Sequence, residues 1–251
     1  MTRTRKILLL TLLPIVGIVV LAASFVAYST FYGRPIPPAK ANTIRVACVG
    51  DSITFGVPFF ASKRYPEQLE EFLGSAYSVR NFGAIGYTAQ KAGDHPYWEH
   101  RYLRVSSEFD PDIVVIMLGT NDSKTQNWTG VSRFSEDLRA LIQHYQSLPS
   151  KPRVILVTPP STFLVRGHNT LPAGMSATAI AEISDGVKQL AASMGLKVVD
   201  VHAVTASHPE FFTFDGVHPD GEGSRLIAKA VYDEITSGAA TLGVPVSGQN
   251  R

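Results

Sequence analysis

This 251-residue chain lacks the residues for a disulfide framework, a metal set or a polyanion-binding surface. It has one cysteine, Cys48, so no internal disulfide can form, and cysteine usage neither demonstrates nor excludes an oxidising compartment. Cys48 falls in the apolar run before Gly50, where a free cysteine serves as a small buried hydrophobe. His95, His100, His144, His168, His202 and His208 show neither His-x-x-x-His nor Cys/His spacing, so no metal site is read, and there is no Walker-type phosphate loop. A dominant charge is missing too. Lys and Arg number 23 against 21 Asp and Glu, and three of the cations, Arg3, Arg5 and Lys6, crowd the N-terminus, which leaves no footprint for nucleic acid. Internal repeats are absent. With 45% hydrophobic and 18% charged residues the balance is that of a folding globular body, and the length allows one or at most two domains.

The long apolar run Ile7 to Ala27 is interrupted only by Thr11, Pro14, Gly17 and Ser24. As a helix its twenty-one residues would span about 31 Å, the thickness of a hydrocarbon core. That length favours a signal-anchor over residues 1–30 rather than a cleaved signal peptide, although Ala22-Ala23-Ser24 offers a cleavage site that would release a secreted form. The preceding cations predict a cytoplasmic N-terminus, so the catalytic body is expected outside the membrane, in the periplasm or at the cell surface. Residues 31–43, with Pro35, Pro37 and Pro38, read as a stiff linker. The body is expected over 44–238, and residues 239–251 read as a flexible tail.

Within the body, short β-rich runs alternate with amphipathic stretches, the pattern of a parallel sheet covered by helices on both faces. Strands are expected at 45–50, 77–82, 112–118, 153–158 and 197–201, and helices near 66–73, 134–147, 173–194 and 221–236, with Gly195 as a C-cap. The fold class is α/β: a three-layer α/β/α, flavodoxin-like, doubly wound sheet of five mainly parallel strands. In such a sheet ligands bind beyond the carboxyl ends of the strands.

Four blocks follow strands there. Gly50-Asp51-Ser52-Ile53 places a hydroxyl after the first strand, where Ser52 could serve as a nucleophile or merely cap the next helix. Asp215-Gly216-Val217-His218 sets a carboxylate three residues before an imidazole, so one turn can join them. A serine hydroxyl needs a base, and that base needs an acceptor to fix its tautomer, which His218 and Asp215 can supply. Gly119-Thr120-Asn121-Asp122 offers an amide at the end of the central strand, and Asn81 to Gly86 offers a glycine loop that can expose an N–H. Taken singly, the last two read equally well as turns.

Together and in this order, over about Arg45 to Ile235, the blocks resemble the SGNH/GDSL hydrolase family. The resemblance implies a serine esterase that needs no cofactor. Ser52 would be the nucleophile and Asp215 and His218 its partners, with an oxyanion hole made by the N–H groups of Ser52 and Gly86 and the amide of Asn121. Gly83 is a second candidate for the glycine role, but the Asn-x-x-x-x-Gly spacing favours Gly86. Ile53 stands where the family usually has leucine. The shared blocks do not separate carbohydrate O-acetylesterases, lysophospholipases, thioesterases and lipases. Asp51 and Trp128 are candidate substrate contacts: Trp128 ends the polar run Lys124-Thr125-Gln126-Asn127, where a ring could stack on a sugar or simply pack a loop. The chain is most similar in feel to bacterial sialate O-acetylesterase-like members. The expected partner is therefore a small-molecule or glycan ester, chiefly acetylated carbohydrate, with the membrane reached through the N-terminal helix. A lipid acylhydrolase and a catalytically silent carbohydrate-binding module are the competing readings. The loop from Pro159 to Pro172, with Phe163, Arg166 and His168, is long enough to shape substrate entry.

Overall fold

The computed structural model describes residues 16–17, 20, 24, 28, 33–57, 63–165 and 167–237. Contacts divide the chain into two units, 1–35 and 36–251. The expected N-terminal membrane helix lies outside the described residues apart from isolated positions, and so does the expected tail over 239–251. Among the described residues no helix is long and apolar enough to cross a membrane.

Among its described residues the second unit has five strands: β1 (Ile44–Gly50), β2 (Tyr77–Gly83), β3 (Ile113–Met117), β4 (Arg153–Val157) and β5 (Lys197–Val199). All their pairings are parallel and their order is β2-β1-β3-β4-β5, the doubly wound arrangement that the alternating pattern predicted. Among the described residues seven α-helices accompany them: α1 (Ser52–Phe55), α2 (Tyr65–Leu73), α3 (Arg101–Glu108), α4 (Val131–Gln146), α5 (Ala177–Met194), α6 (Val201–Thr205) and α7 (Gly221–Ser237).

Strand side chains alternate between two faces, and each face has its own core. Ala47, Val49, Val114, Ile116 and Leu156 meet Tyr102 of α3, Leu138 and Leu141 of α4, and Ile183 and Val187 of α5. On the opposite face Val46, Cys48, Val115 and Ile155 meet Leu69 of α2, and Ile227 and Val231 of α7. Cys48 is fully buried there, and burial pushes its thiol up to about 12, so it packs as an inert hydrophobe.

Two expectations need correction. Helix α3 was not predicted, because only Tyr102 and Ser106 of its eight residues are buried and the apolar stripe is too narrow to read; the imidazole of His100 starts it by accepting from the Tyr102 N–H at 3.1 Å. Helix α5 starts at Ala177 rather than 173, because Ser176 caps it through the Ala179 N–H while 172–174 form a separate turn. From Ile36 on, the proline-rich segment is bonded to the body. The Arg80 guanidinium donates to the carbonyls of Pro37 and Pro38 at 2.9 and 2.7 Å, and the Lys40 N–H donates to Ser78 Oγ at 2.9 Å.

The ends of the central strands are level: Gly50 is in register with Gly83 on one side and Met117 on the other. Helix α1 sits directly over Gly83, where a Cβ would overlap the backbone of Phe55. Gly83→Ala should therefore lower stability by about 1–3 kcal/mol or more, since backbone rather than a movable side chain is in the way. A urea midpoint at or above that of the parent protein would show that α1 does not rest on this strand end.

Candidate active site

Serine 52 opens α1 two residues beyond the end of β1, with 5% of its surface exposed. Asp51 caps that helix: its Oδ1 accepts from the Ile53 N–H at 2.9 Å. Burial pushes the Asp51 carboxyl up to about 6. Expected as a substrate contact, Asp51 is only 1% exposed and serves as a cap.

From the opposite end of the body, the loop after α6 brings in His218. Its Nε2 lies 2.9 Å from Ser52 Oγ across 166 positions of sequence, and its Nδ1 lies 2.6 Å from Asp215 Oδ2. The turn that holds the pair is heavily bonded. Asp215 Oδ1 accepts from the N–H groups of Val217 and His218, each at 2.9 Å, and from the Thr213 hydroxyl at 3.0 Å. Gly216 has φ +69°, and a Cβ there would overlap the Phe163 carbonyl, so both the turn and its neighbour demand glycine. Burial works against the Asp215 charge. The bonds from the His218 side chain and from the two N–H groups outweigh it and hold this carboxyl well below the usual carboxylate range.

The other two blocks meet beside this chain of groups. Gly86 follows β2 in a left-handed conformation with φ +86°. Among the described residues no acceptor takes up the N–H of Ser52 or of Gly86. Asn121 Nδ2 donates one hydrogen to the carbonyl of Tyr87 at 3.2 Å, which ties the third block to the second and leaves its other hydrogen available. Gly83, the alternative glycine, has its N–H occupied by Asn81 Oδ1 at 2.9 Å.

Sequence reasoning overlooked Asp122. It is fully buried and accepts from the N–H groups of Ala89 and Gln90 at 3.0 and 2.8 Å, clamping the Gly86 loop to the Asn121 loop. Burial pushes it up to about 6. Its only sequence signal was its place next to Asn121. The Trp128 ring is tilted by 53° to that of Phe134, with centroids 6.5 Å apart, and packs, partly buried, against the α4-side core. Lys124 is nearly buried, 3.5 Å from Asp94.

A hydroxyl on an imidazole, an imidazole on an anionic carboxylate, and unclaimed N–H donors nearby make an arrangement able to carry acyl transfer. A model of the GDSL-like lipase/acylhydrolase family matches residues 48–226. This chain belongs to that family of serine ester hydrolases. Over 221 residues, 80% of the chain, it is 33% identical to an acetylxylan esterase of Xylanibacter ruminicola. It spans 45% of that relative's length. Its fold is that of a carbohydrate acetylesterase, Est24, from Sinorhizobium meliloti and of the M. smegmatis aryl esterase. Each has a TM-score of 0.65 and 20% identity, over 78% of this chain and 99% of the other.

The depressed Asp215 carboxyl fixes the sign of a pH effect. A lowered folded-state pKa gives stability that is present above the unfolded value of about 3.9 and is lost as pH falls below it. The gap in unfolding free energy between the parent protein and Asp215→Asn should therefore shrink as pH falls from about 5 to below about 4. A gap that widened over that acid range would contradict the ionised assignment. Asp122→Ala orphans two buried N–H groups at about 1–3 kcal/mol each, and should also lower turnover by loosening the Gly86 loop. Unchanged stability by urea titration would rule out the clamp.

Proposed function

We propose that this protein is a serine esterase that hydrolyses short-chain, acetyl-type carboxylic esters on carbohydrate through an acyl-enzyme. The observation that carries the reading is the continuous hydrogen-bonded line from Asp215 through His218 to Ser52. His218 takes the Ser52 proton as Oγ attacks the ester carbonyl, and Asp215 stabilises the imidazolium that forms. The N–H groups of Ser52 and Gly86 and the remaining amide hydrogen of Asn121 receive the charge on the carbonyl oxygen. The imidazolium then protonates the leaving alcohol. In the second half His218 draws a proton from water, which cleaves the acyl-serine and returns Oγ to its hydroxyl form.

Acetyl on carbohydrate is supported by the names of two relatives, the acetylxylan esterase and the carbohydrate acetylesterase. A lipid acylhydrolase gains some support from the exposed Leu164 and Phe214, 63% and 75% accessible, and from the apolar run Ile7 to Ala27. That run and the cations before it also support a membrane-anchored enzyme with its body outside the cytoplasm.

Ser52→Ala should abolish hydrolysis of p-nitrophenyl acetate and labelling by a fluorophosphonate, while Asn121→Ala should retain about 1% of turnover or less. Parent-level hydrolysis by Ser52→Ala would end the serine reading, and absence of labelling in the parent would favour a silent binding module. Activity should fall steeply as the acyl chain lengthens from C2. A maximum above about C8 would favour the lipid reading.

A further inference from the structure

One side chain beside Gly86 has no part in the serine–histidine line. A Cβ built on that glycine would meet a single described atom within 4 Å, Cδ2 of His95 at 3.9 Å. Such a Cβ lies two bonds from its own nitrogen, about 3 Å at most. His95 Cδ2 therefore stands within about 7 Å of the nitrogen whose N–H would hold the ester oxygen. Nε2 is bonded to Cδ2, so a ring nitrogen lies one bond from the atom closest to Gly86. The side chain is exposed, and its ring meets that of Tyr87 with centroids 5.7 Å apart. Among the described residues neither of its ring nitrogens is engaged in a hydrogen bond.

The backbone that carries this imidazole is fastened in place. The Thr88 N–H donates to the His95 carbonyl at 2.8 Å, and the Thr88 hydroxyl donates to the same oxygen at 3.3 Å. One residue earlier, the Asp94 N–H donates to Asn127 Oδ1 at 2.9 Å, and Asp94 Oδ1 accepts from Asn127 Nδ2 at 2.8 Å. The same Nδ2 donates to the Asn121 carbonyl at 3.0 Å. His95 is thereby held against both loops that would supply oxyanion donors, the one bearing Gly86 and the one bearing Asn121. Its surroundings are polar, since Asp94 Oδ2 lies 3.5 Å from Lys124 Nζ and 3.5 Å from Gln126 Nε2.

With acetyl as the acyl group, one methyl extends from the reacting carbon, and whatever the substrate presents farther out belongs to the alcohol. A neutral imidazole offers one donor and one acceptor nitrogen, which a hydroxyl can engage and an alkyl group cannot. We propose that His95 is a specificity residue for the alcohol half of the ester, its imidazole hydrogen-bonding a hydroxyl of the alcohol while the Gly86 N–H holds the ester oxygen. This role rests on the esterase reading, and three substrates keep the two apart. Glycerol 1-acetate carries hydroxyls on its alcohol, as an acetylated sugar does, whereas propyl acetate and p-nitrophenyl acetate carry none. Measured by pH-stat titration, His95→Ala and His95→Phe should each lose about tenfold in kcat/KM on glycerol 1-acetate, the weight of one hydrogen bond, and stay within twofold on the other two esters. His95→Gln, which keeps a side-chain N–H and C=O, should hold most of the glycerol acetate rate. Because His95 is exposed, all three variants should unfold at the parent's urea midpoint. A full glycerol acetate rate in His95→Phe would show that the ring only fills space, and equal losses on all three esters would show that it only supports the Gly86 loop. Either result, or no loss in His95→Ala, would overturn the role. Failure of the parent protein to hydrolyse p-nitrophenyl acetate would instead remove the esterase reading, and the role with it.

Discussion

Parallel strands can be joined only by crossovers that return to the starting edge, so every strand of this sheet delivers its carboxyl end to the same side of the molecule. The reactive arrangement depends on that constraint. Gly50, Gly83 and Met117 stand level across the three adjacent strands β1, β2 and β3, and the loops carrying Ser52, Gly86 and Asn121 all leave from that line. Because β2 ends in a residue without a side chain, α1 can lie against the strand end, which sets the height of Ser52 above the sheet. The turn bearing Asp215 and His218 arrives from the other end of the chain and closes onto that height.

Three aspartates show how burial and bonding divide labour among identical side chains. Asp51 and Asp122 are buried more deeply than their bonds compensate, so both carboxyls are pushed up to about 6. Each is engaged with backbone N–H groups, Asp51 capping a helix and Asp122 fastening one loop to another. Asp215 is buried too, but it gains a histidine and two N–H groups, and the balance reverses in favour of the anion. An anionic acceptor behind His218 is what a base drawing a proton from serine requires. The same residue type therefore takes up two different charge balances, by environment alone.

Much of this could be read before any coordinates. The five strands were legible because buried parallel strands are apolar runs bounded by turn residues, and Ile113 to Met117 is apolar throughout. The pairing of Asp215 with His218 was legible because a carboxylate three residues before an imidazole can be joined by one turn. Helix α3 was not, since it buries two residues and leaves no stripe. Trp128 was ambiguous for a related reason: an aromatic ring after a strand fits a sugar platform or a packed loop equally well, and its contact with Phe134 is visible only in the coordinates. Asp122 was hidden because its partners, Ala89 and Gln90, are backbone groups more than thirty positions away that no side-chain pattern reveals.

The sequence by itself determined the layering of the body, the order in which candidate groups follow the strands, and the local turn that sets a carboxylate against an imidazole. These follow from hydrophobic period and short-range spacing, which a chain carries in its own order. The tertiary structure decided that the hydroxyl of Ser52 lies within reach of His218 and that Asp122 ties the Gly86 loop to the Asn121 loop. Each of these is a relation between segments far apart in sequence. Such relations are fixed by how crossovers pack on the sheet, and no local pattern encodes that packing.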